Sequence, residues 1–330
     1  MKKVIGMRNF KDHYLDYFIT FIILLFLSFY LPRLIPGSPI DAILGGGEGV
    51  VNITDELRRE VSIRYGLDKP LYQQFIIYVG NIIKLDFGYS YVYSRPVIEI
   101  ILASLPWTLL LVVFSVFLST TIGVLLGIES AYRYKKKFDK FSVGLLMSSS
   151  GFPQFFIGIL LLILFGINLG WLPISGGKSP FNDFDGVYYI IDVARHLILP
   201  MLTIVITEVS GVFMLARSSA IMVIQKPYYF MAKAKGLSKY TIKYSYIGRN
   251  ILLPVVNHIG MRLGKVLVGE LMVEVVFSYP GLGSLLYNSV SSRDYPVIQG
   301  LFVLVAIMTL ITSSVTEHFN RHVESRQGGS

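Results

Sequence analysis

Six apolar runs divide the chain, at residues 15–36, 107–131, 141–168, 196–223, 251–278 and 298–316. A helix needs about 20 apolar residues to cross a hydrocarbon core about 30 Å thick. All six runs are too long and too apolar all round for amphipathic surface helices. Between the first two, Thr54 reads as the N-cap of a helix, with Asp55 and Glu56 in its first turn and Gly66 after its last. Asp68 reads as the cap of a second helix, with Pro70 near its start and Leu71, Phe75, Tyr78, Val79 and Ile82 on one face. Such a helical cap either packs over the span ends or docks an external partner. In the third run, Ser148-Ser149-Ser150-Gly151-Phe152-Pro153 predicts a kink or break. Broken helices are tolerated at membrane depth where they are buried in protein or line a cavity. Ser150, Gly151 and Pro153 are therefore candidates for a pathway wall, against the plainer reading of a structural kink.

Composition agrees with a lipid environment. Of 330 residues, 53% are hydrophobic and 15% charged, where soluble domains carry about 25% charged residues. Mean hydropathy is +0.59. Cysteine is absent, so a disulfide framework, a thiolate metal site and a Cys nucleophile are excluded. The net charge of +9 is concentrated in particular loops. Residues 1–14 hold four Lys/Arg and one acid, 132–140 five and one, and 224–250 six and none. Residues 169–195 hold two Lys/Arg and three acids, and 279–297 one of each. By the positive-inside rule the first three segments are cytoplasmic, and six spans return the C-terminus to the cytoplasm as well. The first run is followed by Pro32, Arg33, Pro36 and Pro39 rather than by a cleavage site, and reads as a retained span. Gly328-Gly329-Ser330 is set aside from the fold.

The cytoplasmic stretch 224–250 carries the most local information. Pro227 stands where a helix can begin, and Gly236 can take the left-handed conformation that ends one. Ser238 can cap a second helix running to Arg249. The predicted product is a helix–glycine turn–helix lying along the membrane, presenting small Ala side chains and cations. It could seat in a partner's groove or rest on anionic lipid.

This loop, through Ala232-Lys233-Ala234-Lys235-Gly236-Leu237-Ser238 and then Arg249-Asn250 and Leu253-Pro254, resembles the EAA-type motif of a known family. Earlier matches are Ile35-Pro36-Gly37-Ser38-Pro39, Tyr65-Gly66-Leu67-Asp68-Lys69-Pro70-Leu71, Asp86-Phe87-Gly88-Tyr89-Ser90 and Leu105-Pro106-Trp107-Thr108-Leu109. Later ones are Leu169-Gly170-Trp171-Leu172-Pro173-Ile174-Ser175-Gly176, Phe277-Ser278-Tyr279-Pro280-Gly281-Leu282-Gly283 and Arg293-Asp294-Tyr295-Pro296-Val297-Ile298-Gln299-Gly300. In this order the chain resembles the B-type permease subunit of ABC importers for dipeptides, oligopeptides and nickel. The first turn of the loop departs from the general motif, with Phe230 and Met231 where Glu and a small residue are common.

The resemblance implies an all-α membrane protein with six transmembrane helices and the type I ABC importer permease fold. Its organisation would be an N-terminal tail and first span over 1–36, and an external helical segment over 37–96. The importer transmembrane domain would cover 97–317, with coupling loop 224–250, ahead of a C-terminal tail over 318–330. It implies a multi-pass protein of the cytoplasmic (inner) membrane, paired with a second homologous permease, two ATPase subunits and an external solute-binding protein. No cofactor is expected on this chain; ATP and Mg would sit on the partner subunits. Residues Ala232 to Ser238 would couple ATP hydrolysis to transport. Peptide is the leading substrate class, with nickel or a metal chelate as the alternative. A secondary transporter driven by an ion gradient is the rival of another class. It would show paired interrupted helices in two sequence halves, and one clearly interrupted span is readable. A channel would show a selectivity filter or ring, and none is readable.

Other chemistry is sparse. Gly176-Gly177-Lys178-Ser179 hints at a phosphate loop, but Leu172 stands where a Walker A glycine belongs. His318 and His322 are four apart without a third ligand nearby, so no metal site is assigned. No catalytic constellation and no nucleic-acid-binding feature is readable. Charges inside the spans are different, because a charge in lipid is a functional hypothesis by default. Span four carries Glu208; span five carries Arg262, Lys265, Glu270 and Glu274, with both acids on one helix face. One reading pairs the acids with Arg262, Lys265 or Arg217 across helices. The other has Glu208, Glu270 and Glu274 along the pathway, with Glu208 and Glu270 favouring a cationic substrate.

Overall fold

The structure is a computed structural model that describes the backbone of residues 10–34, 40, 54–64, 66–180 and 185–327. Within these, it describes the side chains of 19–34, 40, 54–63, 66–180, 185–262 and 270–315. The described residues are overwhelmingly helical and form no strand, as a chain that must satisfy its backbone hydrogen bonds inside lipid requires. Gly328-Gly329-Ser330 lies outside the described residues, as do the side chains of Lys265, His318 and His322.

The chain divides into two compact units, Met1–Leu105 with Leu285–Ile311, and Pro106–Ser284 with Thr312–Ser330. In the first unit, α1 (Phe10–Tyr30) runs into a 3₁₀ turn at Leu31–Leu34. The external segment supplies α2 (Asp55–Arg64) and α3 (Leu71–Ile83). Thr54 stands directly before α2, and its carbonyl accepts from Arg58 N–H at 3.2 Å. The N-cap of α3 is Pro70, with no side-chain cap, so Asp68 does not cap it. Pro70 pre-sets φ at the helix start and supplies the carbonyl bonded by Gln73 and Gln74 N–H, leaving the Asp68 side chain two residues too early. Phe75, Tyr78, Val79 and Ile82 are turned inward, whereas Leu71 at the open first turn is exposed.

Helix α3 rests on the end of α1 through an aromatic cluster. The Phe29 ring, 1% exposed, lies 5.3 Å from Phe75 and 5.5 Å from Tyr78, and the Arg33 guanidinium stacks 3.5 Å above it. Arg33 also donates to Phe29 O at 2.7 Å and to Gln74 Oε1 at 2.9 Å. Burial pushes the Tyr78 hydroxyl up to about 12, and it exchanges a 2.7 Å bond with Ser28 Oγ. Asp294, fully buried, ties the 89–96 loop down by accepting from Ser90 Oγ at 2.5 Å and from Tyr91 N at 3.2 Å.

The second unit holds most of the long helices. Helix α4 (Val97–Tyr132) enters it at Pro106, followed by α5 (Lys137–Ser149) and α6 (Gln154–Leu161), the latter continued by a π segment Leu162–Asn168. Helix α5 and the α6–π helix are bent by 95° at the break predicted around Ser150-Gly151-Phe152-Pro153. Proline at 153 removes a donor and cannot continue α5, so α6 restarts with Pro153 as its N-cap. Then come α7 (Val187–Ile224), α8 (Pro227–Ala234), a π segment Thr241–Ile247, α9 (Gly248–Gly269) and α10 (Leu271–Val276). Helix α11 (Leu282–Ser291) and α12 (Tyr295–Gln327) complete the chain.

Two further expectations change. The fifth apolar run, read as one span over 251–278, is interrupted at Glu270, which leaves helical geometry at φ −102°, ψ 5°. The helix after Ser238 does not stop at Arg249; it passes through the π segment into α9. Among the described residues, Val97–Tyr132, Val187–Ile224 and Tyr295–Val315 are long and apolar enough to cross a membrane, and the bent pair raises the number to four.

Candidate functional site

Helix α8 begins with Pro227 at its first turn and ends in a Schellman turn. Leu237 N–H bonds back to Ala232 O at 3.4 Å and Gly236 N–H to Lys233 O at 3.1 Å, while Gly236 takes φ +73°. Ser238 then caps the next helix, its Oγ accepting from Thr241 N–H at 3.1 Å. The inner face of this elbow is held by a core of Ile128, Ala131, Ala216, Ala220, Val223, Tyr229, Ala232, Ile242, Ile247 and Ile251. Lys243, in the π segment, pairs with Glu129 of α4 and places its ammonium 4.6 Å above the Tyr132 ring. Pointing outward are Phe230 and Met231, 59% and 60% exposed, together with Lys233, Ala234, Lys235, Gly236 and Ser238. Leu237 is half-buried and Ala232 fully buried. The elbow is thus anchored on one side and presents two large apolar side chains among cations on the other.

A bidentate pair braces the same end of the unit. Arg217 of α7 donates from Nε and Nη2 to Asp139 of α5 at 2.7 and 2.9 Å. Ser130 Oγ at 2.5 Å and Lys135 N–H at 2.8 Å fill the remaining acceptor capacity. The Arg217 bonds, with those from Ser130 and Lys135, hold the Asp139 carboxyl down at about 2. Arg217 therefore does not pair with the acids of spans four and five. The signal for this brace was present in sequence as the one acid in a loop of five cations.

The charges of the spans separate into two groups. Glu208 of α7 forms an ion pair with Arg262 of α9 at 2.7 Å and accepts from Gln154 Nε2, in the first turn of α6, at 3.2 Å. Arg262 Nη2 approaches Glu270 Oε1 at 3.7 Å, beyond hydrogen-bond length. Three helices and the break at Glu270 thus meet at one charged cluster. Gln154 had no signal in the sequence beyond its place after Pro153. The break itself leaves Ser150, Gly151, Phe152 and Pro153 exposed, and Ser149 Oγ donates across to Ile206 O of α7 at 3.2 Å.

Glu274 behaves differently from Glu208 and Glu270. It is 1% exposed and accepts from Thr108 Oγ1 at 2.7 Å, Gly283 N–H at 2.7 Å and Ser284 N–H at 3.1 Å. It caps α11, whose first residue also donates its N–H to Thr108 Oγ1 at 2.8 Å. Every one of its bonds is internal, so the geometry makes Glu274 a brace between α4, α10 and α11 rather than a group offered to a passing solute.

Residues 119–329 match the family model described as the binding-protein-dependent transport system inner membrane component. Among curated relatives, the di/tripeptide transport system permease protein of Pseudomonas aeruginosa (strain UCBPP-PA14) is 32% identical over 90% of this chain and 92% of its own length. The oligopeptide transport system permease protein of Bacillus subtilis (strain 168) is 32% identical over 91% of this chain and 92% of its own. The glutathione transport system permease protein of Escherichia coli (strain K12) is 33% identical over 90% and 91%. The family is a transport component, and ATP hydrolysis in such systems belongs to separate ATPase subunits working with a binding protein. With apolar helices, an anchored elbow and this coverage together, the chain belongs to the binding-protein-dependent inner membrane components: it is a multi-pass membrane permease subunit of an ABC importer.

Proposed function

We propose that this chain forms one half of a peptide-conducting pathway and is driven through the elbow at residues 232–238. It crosses the membrane six times with both termini in the cytoplasm, and its working complex contains a second homologous permease, two ATPase subunits carrying ATP and Mg, and an external solute-binding protein. Residues 1–36 supply the first span, 37–96 an external helical segment, 97–317 the importer domain and 318–330 a tail. The peptide substrate is supported by the relatives named for di/tripeptide, oligopeptide and glutathione transport. The charge bias of the 132–140 and 224–250 segments supports the orientation.

The observation that carries the coupling role is the elbow's two-sidedness. A lever must be fixed to the part it moves and offer a separate surface to the engine. Tyr229 and Ala232 are buried in the span-end core, while Phe230, Met231, Lys233 and Lys235 face out. Replacing Gly236 by valine forces a β-branched residue into the left-handed region, at a cost of about 1–2 kcal/mol in the turn. In proteoliposomes holding the full complex, Gly236→Val should retain ATP hydrolysis and lose peptide uptake. Wild-type uptake by Gly236→Val, or transport by the isolated chain without nucleotide, overturns the reading. Co-purification with a P-loop ATPase and a second permease is the accompanying biochemical check.

Ser150, Gly151, Pro153, Glu208 and Glu270 are assigned to the pathway side in this reading, and Glu274 to its support. Glu208→Gln and Glu270→Gln should lower peptide uptake in the assembled complex. Unchanged uptake in both variants would remove both residues from the pathway.

A further inference from the structure

We propose that Glu270, with Glu208 beside it, receives the terminal α-ammonium of a peptide in transit; this rests on the peptide-permease reading above. The two oxygens of Glu208 are both engaged, by Arg262 at 2.7 Å and by Gln154 at 3.2 Å. Those of Glu270 are not. Its Oε1 has Arg262 only at 3.7 Å, and its Oε2 is buried with no hydrogen-bond partner among the described residues, although the residue is 6% exposed. A buried carboxylate without donors is costly, and each such orphan in a folded protein calls for a ligand or a role. Among the described side chains of the cluster two carboxylates face one guanidinium, whose Nη1 is itself buried without a hydrogen bond, so Glu270 Oε2 is an acceptor that no described donor satisfies.

The surroundings narrow what the missing donor is. No group of three His, Cys, Asp or Glu among the described residues could hold a metal ion. An ammonium has three donors and no acceptor, and suits one unsatisfied carboxylate with a second nearby. Access is present on α7, where Gly211 and Ser218 are exposed and Glu208 keeps 30% of its side chain open, on one stripe of the helix. A glutamate stripe turned to lipid is untenable, so this stripe faces water or protein. Helix α6 restarts beside it, at the 95° break that supplies Gln154. Side chains differ from peptide to peptide, but every linear peptide with a free N-terminus brings the same ammonium. A pathway that passes varied peptides gains a constant handle by reading that group.

The absence of native cysteine allows a direct test. A Cβ added at Gly211 meets nothing within 4 Å, so Gly211→Cys places a thiol on the open stripe without a clash. The full complex in nanodiscs, without binding protein, is labelled with a maleimide in the presence of tri-alanine, N-acetyl-tri-alanine or an N-acetyl-tripeptide containing lysine. Tri-alanine should slow labelling, the two acetylated peptides should not, and Glu270→Gln should abolish the effect. Equal protection by the acetylated lysine peptide, protection that survives Glu270→Gln, or a thiol that never reacts in the intact complex overturns the proposal. Independently, Glu270→Gln without the cysteine should lower ATP-driven tri-alanine uptake at least about tenfold, the loss expected for one charge-assisted bond. Unchanged uptake overturns the ammonium site while leaving the permease reading standing; a wild-type complex that moves no peptide overturns both.

Discussion

Asp139 shows what one side chain can hold. Four donors from two helices and a turn converge on a carboxylate that is 2% exposed. Asp139→Asn keeps the shape, removes the charge and leaves the half-buried Arg217 without its partner. Breaking a buried pair from one side costs about 3–5 kcal/mol, and the loss should appear as a lower Tm of the detergent-solubilised subunit. The pH dependence has a definite sign. The folded carboxyl titrates at about 2, below the ordinary aspartate value of about 3.9. Its stabilisation is therefore complete above the ordinary value and is lost as pH falls through the interval toward 2. The wild-type Tm should drop between pH 5 and pH 3 by more than that of Asp139→Asn; parallel curves would deny the brace. Thr108 invites a similar trial. Thr108→Val strips Glu274 of a donor and Leu282 N–H of its acceptor, and should cost about 1–3 kcal/mol in thermal unfolding.

At the scale of elements, the close approach of α4 and α7 rests on the absence of side chains. A Cβ at Gly127 would lie 2.7 Å from Ala216 Cβ and 2.9 Å from Phe213 O, and one at Gly123 would lie 2.7 Å from Val212 Cβ. The two glycines are four apart, so they share a face and let the helices meet backbone to backbone. Gly127→Leu should force them apart, destabilising the subunit by about 3 kcal/mol and shifting the Ile128–Ala216–Ala220 core on which the elbow sits. The expected readout is reduced thermal stability together with weaker co-purification of the ATPases. Loss of neither would mean that the helices can repack. The π segments Leu162–Asn168 and Thr241–Ile247 follow the broken span and the elbow respectively. The second begins at Thr241, shortly after the turn at Gly236, whereas the first continues α6 about two turns beyond the bend; π turns in helices are frequent at functional positions.

For the whole molecule, orientation is the property most open to direct measurement. The chain has no cysteine, so single thiols report sidedness without background from this subunit. Phe230→Cys on the elbow and Tyr72→Cys on the external segment occupy sites 59% and 61% exposed. An impermeant maleimide should label Tyr72→Cys in intact cells and reach Phe230→Cys only in inverted vesicles. The reverse pattern would place the elbow outside the cell and end its role as a lever.

The sequence by itself determined the helical class, the membrane setting, the break near Pro153 and the turn chemistry of Gly236 and Ser238. Each depends on neighbours in the chain: apolar run length, a missing N–H, a glycine that can take positive φ, a hydroxyl one step before a helix. The same local rules placed Thr54 before α2 but gave Asp68 a cap that Pro70 holds. Tertiary structure alone decided which charges meet. Thr108 and Glu274 are 166 residues apart and Asp139 and Arg217 78 apart, distances over which no sequence period carries pairing information. It also divided three acids of like appearance into a helix-capping brace at Glu274 and a charged cluster at Glu208 and Glu270. A carboxylate's role is fixed by the donors around it, and those arrive only when distant helices come together.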